Sequence, residues 1–213
     1  MNLPRLYPIL DTATLAARGG FDLRRAAGIL LDAGVEILQL RHKGHFSCDL
    51  FETAQAISVA CRSAGARLVI NDRVDVALLL GDAAVHLGQE DLPPGQARHL
   101  APQLPIGFST HNETQLADEA THSVADYLAI GPIFETRSKA NPDPEVGLAN
   151  LRAWRALTSK PLVAIGGITP ENARAVLAAG ADSIALISAL YPDPLTEDSL
   201  RKRTEEWLHL LRN

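Results

Sequence analysis

The chain has 213 residues, of which 46% are hydrophobic and 21% charged, with a net charge of -5. A chain of that length can bury a proper core within one domain, and its acidic balance argues against nucleic-acid binding, which needs a basic surface. No apolar run approaches the roughly 20 residues of a membrane helix. Met1–Arg5 lacks a signal-peptide layout, and Cys48 and Cys61 match neither a zinc spacing nor a disulfide framework. The expectation is a cytoplasmic protein with reduced thiols and no nucleic-acid or membrane partner; a homo-oligomer is left open.

Short apolar runs alternate with longer helical patterns from end to end. Strands are expected at Leu6–Leu10, Glu36–Leu40, Leu68–Ile70, Ala84–Leu87, Ile106–Phe108, Tyr127–Ile130, Leu162–Ile165 and Ser183–Leu186. They are short, apolar and non-alternating, as parallel strands covered on both faces should be. Helical stretches include Phe21–Ala33, Leu50–Ala64, Asn112–Ala120, Pro170–Ala179 and Leu195–Leu211. Thr169-Pro170-Glu171 reads as an N-cap followed by Pro in the first helical position. A joint of helix, Gly and strand recurs at Ala33–Val35, Ala64–Ala66 and Ala179–Ala181. The pattern predicts an α/β fold, a compact (β/α)₈ TIM barrel occupying residues 1–213 as one domain, although such barrels typically take about 250 residues. An open doubly wound sheet is the alternative, but it would concentrate polar chemistry near one switch point. Here polar segments follow nearly every strand.

In a barrel the strand exits build the site. After the second strand, alternation points Gln39, Arg41 and Lys43 the same way, a polar face suited to phosphate oxygens. Two solvated surface cations would be the plainer account of Arg41 and Lys43 alone. The third strand leads into Asn71 and Asp72, more polar groups than one helix cap needs. The fourth leads through His86, taken as a hydrogen-bonded interior residue, to Gly88 and Asp91. Asp72 and Asp91 together suggest Mg²⁺ held by few protein carboxylates and completed by phosphate and water. Ser109 follows the fifth strand as a substrate donor, with Thr110 or Asn112 capping the next helix and His111 orienting. The sixth opens the longest connection, Gly131–Gly147, where Thr136, Ser138 and Lys139 suit an anion. Gly166-Gly167 after the seventh strand, and Ile187-Ser188 after the eighth, stand where barrels often bind phosphate.

These segments, taken in order, resemble the thiamine phosphate synthase (thiamine-phosphate pyrophosphorylase) family. The matching stretches are QLRHK at Gln39–Lys43, NDRVDVAL at Asn71–Leu78, VHLGQEDLP at Val85–Pro93, GFSTHN at Gly107–Asn112, DYLAIGPIFETRSK at Asp126–Lys139 and VAIGGITPENA at Val163–Ala173. The resemblance implies a transferase that joins 4-amino-2-methyl-5-hydroxymethylpyrimidine diphosphate to a 4-methylthiazole phosphate, in its carboxylated form, and releases diphosphate. It implies Gln39, Arg41, Lys43 and Asn71 on the pyrimidine diphosphate, and Asp72 and Asp91 on Mg²⁺. Ser109 and Lys139 would contact the diphosphate or reacting centre. Thr136, Ser138, Gly167, Ile187 and Ser188 would hold the thiazole phosphate. Arg41, Lys43, Ser109 and Lys139 would act in catalysis.

The chain departs from the family pattern at His42, where an acidic residue is usual, and at Ser138, where Thr is common. Glu135 adds negative charge beside the proposed phosphate site and must point away or pair with Arg137. A thiazole tautomerase of the same fold is the nearest alternative, with His111 as acid/base and no need of Mg²⁺. Asn71, Asp72, Asp91 and Lys139 together argue against it, because a tautomerase binds no diphosphate. A non-catalytic barrel that senses a phosphorylated ligand is the alternative from another class.

Overall fold

The structure, a computed structural model, describes residues 3–122, 124–136 and 143–212. Strands β1 (Leu6–Asp11), β2 (Ile37–Arg41), β3 (Arg67–Asn71), β4 (Ala84–Leu87), β5 (Ile106–Thr110), β6 (Tyr127–Ile130), β7 (Leu162–Ile165) and β8 (Ser183–Leu186) close in sequence order into an all-parallel barrel. The closing pair is β1 with β8, in register Leu6 to Ile184. The expected (β/α)₈ barrel is therefore the observed fold.

Around it lie α1 (Thr12–Ala17), α2 (Leu23–Asp32), α3 (Cys48–Ser63), α4 (Val74–Leu80), α5 (Pro94–Leu100), α6 (Glu113–His122), α7 (Gly147–Trp154), α8 (Ala173–Ala178) and α9 (Glu197–Arg212). Helix starts follow their caps. Asp22 Oδ1 accepts the Arg25 N–H at 2.8 Å, Ser47 Oγ that of Leu50 at 3.3 Å and Asn112 Oδ1 that of Gln115 at 3.0 Å. The expected start of α8 at Pro170 is corrected. Residues 170–172 form a turn, and Asn172 ties it down by accepting the Thr169 N–H at 2.9 Å and donating to the Gly167 carbonyl at 3.1 Å. The recurring Gly joint is a Schellman motif: Val35 donates to Leu30 and Ala66 to Cys61 across left-handed Gly34 and Gly65.

Strand alternation divides the core in two. Leu10, Leu38, Leu40, Ile70, Val85 and Phe108 face outward against the helices. Tyr7, Ile9, Ile37, Val69, Ala84, Tyr127, Ala129, Val163 and Ala185 fill the barrel interior. Gly107 faces inward on β5 because Tyr127 occupies the space a side chain would need; a Cβ there would lie 2.0 Å from the ring. Gly107 thus leaves the room that the Tyr127 ring occupies in the barrel interior. Cys48 and Cys61 are free thiols, and burial pushes Cys61 up to about 11. No helix among the described residues is long and apolar enough to cross a membrane.

Candidate active site

The C-terminal ends of the strands carry the polar groups. At the end of β1, Asp11 caps α1 by accepting both the backbone N–H and the hydroxyl of Thr14, at 2.8 and 2.7 Å. Its other oxygen receives Arg41 Nη1 from the end of β2. Burial raises the Asp11 carboxyl, but the Thr14 and Arg41 bonds together outweigh it and hold the group below its ordinary range. Arg41 is therefore fixed rather than free to sweep solvent. Sequence reading passed over Asp11, although an Asp at a strand end directly before Thr-x-Thr was a legible signal.

Lys43 reaches across to β3 and donates to Asp72 Oδ2 at 2.6 Å. His42, between them in sequence, turns aside. Its ring nitrogens meet Thr12 Oγ1 at 2.8 Å and the His45 carbonyl at 3.1 Å, and its edge packs on Phe46. This ties the β2–α3 loop to α1 and keeps His42 out of the Arg41 and Lys43 face. Asp75 is taken up by Arg73, which also lies over Phe46.

Asp72 is the one non-glycine with positive φ among the described residues, at 64°. A backbone held in this sparsely populated region is a feature concentrated at functional sites. Burial, and then the adjoining Asp91 carboxylate, raise its pKa against the opposing pull of Lys43. Asp91 is brought back to the mouth by its own Oδ2, which accepts the Gly88 N–H at 2.7 Å. Two carboxylates are thus held together where one nearby ammonium is their main compensation, an arrangement that favours a further cation. No group of three or more His, Cys, Asp or Glu side chains suited to a metal occurs among the described residues. Mg²⁺ does not need one, since it takes one or two carboxylates and leaves other positions to phosphate and water. The donor set fits that ion.

Asn71 lies beside His86 in the β3–β4 ladder, and its buried Nδ2 has no hydrogen-bond partner among the described groups. A buried donor left unmatched is costly, and at a site it marks a place for a ligand acceptor. His86 is matched on both sides, Nδ1 to the Tyr127 hydroxyl at 3.0 Å and Nε2 to Ser109 Oγ at 2.9 Å. Burial lowers its pKa to about 4, so the ring is neutral at pH 7. A His whose folded pKa lies below its unfolded value contributes stability in full above about pH 6.5 and loses it as pH falls towards 4. Between pH 7 and 4.5 this single group should cost about 2 kcal/mol. Urea unfolding in EDTA at both pH values tests this: the unmodified protein should lose that much more than His86→Gln. Equal losses would show that His86 is not desolvated.

The remaining exits are β5 to β8. Thr110 bridges to the Ala129 carbonyl, so Asn112 rather than Thr110 caps α6. His111 Nδ1 donates to the Gly131 carbonyl at 2.7 Å and lies 3.4 Å from Asp143 Oδ2, holding both ends of the β6–α7 connection. Glu135 is exposed and Thr136 half-buried. Arg137, Ser138 and Lys139 lie outside the described residues, so the structure is silent on two of the expected anion contacts. Gly167 has φ 64°, and a Cβ on it would sit 2.5 Å from the Glu135 carbonyl oxygen. Its glycine identity is thus required by close approach of the β6 exit, whatever its N–H binds. Ile187 is half-buried against the barrel interior, and exposed Ser188 begins a 3₁₀ turn to Leu190. Because β7 and β8 are neighbours, Gly167, Ile187 and Ser188 share one side of the mouth.

Residues 6–190 match the family model described as thiamine monophosphate synthase. A thiamine-phosphate synthase from Koribacter versatilis is 46% identical, covering 99% of this chain and 97% of its own. One from Laribacter hongkongensis is 44% identical, covering 87% of this chain and 86% of its own. Among solved structures, the thiamine phosphate pyrophosphorylase from Pyrococcus furiosus superposes with a TM-score of 0.84 at 34% identity, covering 98% and 95% of the two chains.

Proposed function

The chain belongs to the thiamine monophosphate synthase family and is a transferase of the thiamine-phosphate synthase type, and we propose that it joins the two halves of thiamine phosphate at the C-terminal mouth of the barrel. The substrates are 4-amino-2-methyl-5-hydroxymethylpyrimidine diphosphate and the thiazole phosphate, in its carboxylated form, and both diphosphate and carbon dioxide leave. The observation that carries this reading is the Asp72 and Asp91 carboxylate pair beside Lys43, with Arg41 alongside.

Gln39, Arg41, Lys43 and Asn71 hold the pyrimidine diphosphate, the Asn71 amide supplying its unmatched donor. Asp72 and Asp91 hold Mg²⁺, which when bound neutralises diphosphate charge. Once a divalent cation compensates the carboxylate pair, the Lys43 ammonium would be free to turn from Asp72 to the diphosphate. Arg41 and Lys43, with Lys139 from the β6–α7 connection, neutralise the leaving group. Ser109 donates a hydrogen bond to it. Thr136, Ser138, Gly167, Ile187 and Ser188 hold the thiazole phosphate on the opposite side. As the carbon–oxygen bond to diphosphate lengthens, the aminopyrimidine ring spreads the positive charge of its methylene carbon, and the thiazole nitrogen then attacks; the positively charged thiazolium takes up the electron pair as its carboxylate leaves as carbon dioxide, and a proton from water takes the vacated ring position. No protein nucleophile is needed, and the raised Cys61 thiol offers none. Fixed donors aimed at a developing anion are worth roughly 3 kcal/mol each at the transition state.

Incubating the protein with both substrates, with and without Mg²⁺, and following thiamine phosphate by mass tests the proposal. Coupling that requires Mg²⁺ is the expected result. Interconversion of thiazole carboxylate isomers without coupling would reassign the site to a tautomerase, and neither activity would leave a phosphate-binding barrel.

A further inference from the structure

Five side chains from five strands form one continuous hydrogen-bonded chain through the barrel. Gln39 Nε2 donates to the Tyr7 hydroxyl at 3.0 Å, and the Tyr7 and Tyr127 hydroxyls lie 2.8 Å apart. Tyr127 meets His86 Nδ1 at 3.0 Å, and His86 Nε2 meets Ser109 Oγ at 2.9 Å. Gln39, Tyr7, Tyr127 and His86 are all buried.

With Gln39 Nε2 as the donor to Tyr7, counting protons sets the direction of every other bond. Four bonds need four protons. Gln39 supplies the first, and Tyr7, having accepted it, passes its own to Tyr127. The Tyr127 proton then has only His86 Nδ1 to go to. A neutral imidazole carries one proton, which must sit on Nε2 and be donated to Ser109 Oγ. Burial keeps both phenols protonated and the imidazole neutral. The Ser109 hydroxyl proton is the one the chain does not use. The reverse arrangement would start from a Tyr7 proton donated to the Gln39 carbonyl, put the His86 proton on Nδ1, and consume the Ser109 proton internally.

We propose that Tyr127 is a positioning residue: by donating to His86 Nδ1 it fixes the Nε2–H tautomer and so keeps the Ser109 hydroxyl proton available to the diphosphate. The identity of that acceptor rests on the synthase reading; the tautomer does not. Tyr127 never touches substrate and acts through two intervening side chains.

Nitrogen-15 NMR of imidazole-labelled protein at pH 7 without substrates reads the tautomer directly, with His86→Gln assigning the signals. Protonated Nε2 with bare Nδ1 is expected, and Nδ1–H would overturn the proposal. In Tyr127→Phe the preference should be lost, with the Nδ1–H form appearing; an unchanged tautomer would remove Tyr127 from the role. The same variant should lose about tenfold in kcat with KM for both substrates little changed. Combined with Ser109→Ala it should be no slower than Ser109→Ala alone, whereas fully additive losses would show that Tyr127 works independently of Ser109. Should Tyr127→Phe fail to fold, the spectrum of the unmodified protein still decides the direction of the chain. If the unmodified protein makes no thiamine phosphate, the synthase reading falls while the spectrum still tests the tautomer.

Discussion

Replacing Asp72 by Asn should lower the coupling rate about 100-fold or more while leaving the barrel folded. Asn is the informative substitution because Asp72 holds a φ of 64°, and Asn tolerates that left-handed region where Ala would add about 1 kcal/mol of strain. The change is nearly isosteric and removes only charge. Burial and the Asp91 carboxylate already raise the Asp72 pKa, so neutralising it relieves the folded state rather than harming it. Lys43 loses its partner, but its side chain is 54% exposed, and water replaces such a partner at little cost. The thermal midpoint should therefore fall by no more than about 3 °C. A rate loss of about 100-fold corresponds to about 3 kcal/mol at the transition state. Steady-state kinetics across a Mg²⁺ titration, with thermal unfolding in parallel, separates the two effects. Unchanged turnover at saturating Mg²⁺ would remove Asp72 from the mechanism.

Gly107→Ala should be the most destabilising methyl group that can be added to the inner barrel, at about 3 kcal/mol. The new Cβ would stand 2.0 Å from Tyr127 Cζ, 2.3 Å from its hydroxyl and 2.5 Å from Cε1. Tyr127 is fully buried and tied to Tyr7 and His86, so it has no open space to move into. Both β5 and β6 are paired on each side, which keeps the backbone from yielding. For a chain of this length the loss should appear as a fall of about 6–12 °C in Tm. Tyr127→Leu provides the control, because it removes the ring that clashes. Gly107→Ala made in that background should cost about 1 kcal/mol or less. The same large cost in both backgrounds would place the clash elsewhere.

The fold was largely legible in the sequence because its physics is local. Ala84–Leu87, Tyr127–Ile130, Leu162–Ile165 and Ser183–Leu186 are expected and observed with the same bounds. Each is a short, mainly apolar run, and Gly88, Gly131 and Gly166 end the first three, which is how a strand covered on both faces reads. The helices α1, α5 and α7 are six to eight residues long. They were not singled out, since so few turns leave little periodicity to recognise. The α8 start was misplaced because Thr169-Pro170 makes a turn as readily as a helix cap, and Asn172 decided between them.

By itself the sequence determined the repeating strand and helix order, and with it the position of Gln39, Arg41, Lys43, Asn71, Asp72, Asp91 and Ser109 at or just beyond strand ends. A parallel barrel delivers all such ends to one mouth, so chain order alone was enough to gather them. Which groups touch which was decided only by the tertiary structure. The Asp11 carboxylate holds Arg41 across 30 residues, Lys43 meets Asp72 across 29, and Tyr7 meets Tyr127 across 120. These pairings follow from strand register, barrel closure and the room that Gly107 leaves for one ring. Hydrophobic periodicity carries no signal for such contacts, because a side chain facing into a closed barrel chooses its partner across the interior and not along the chain.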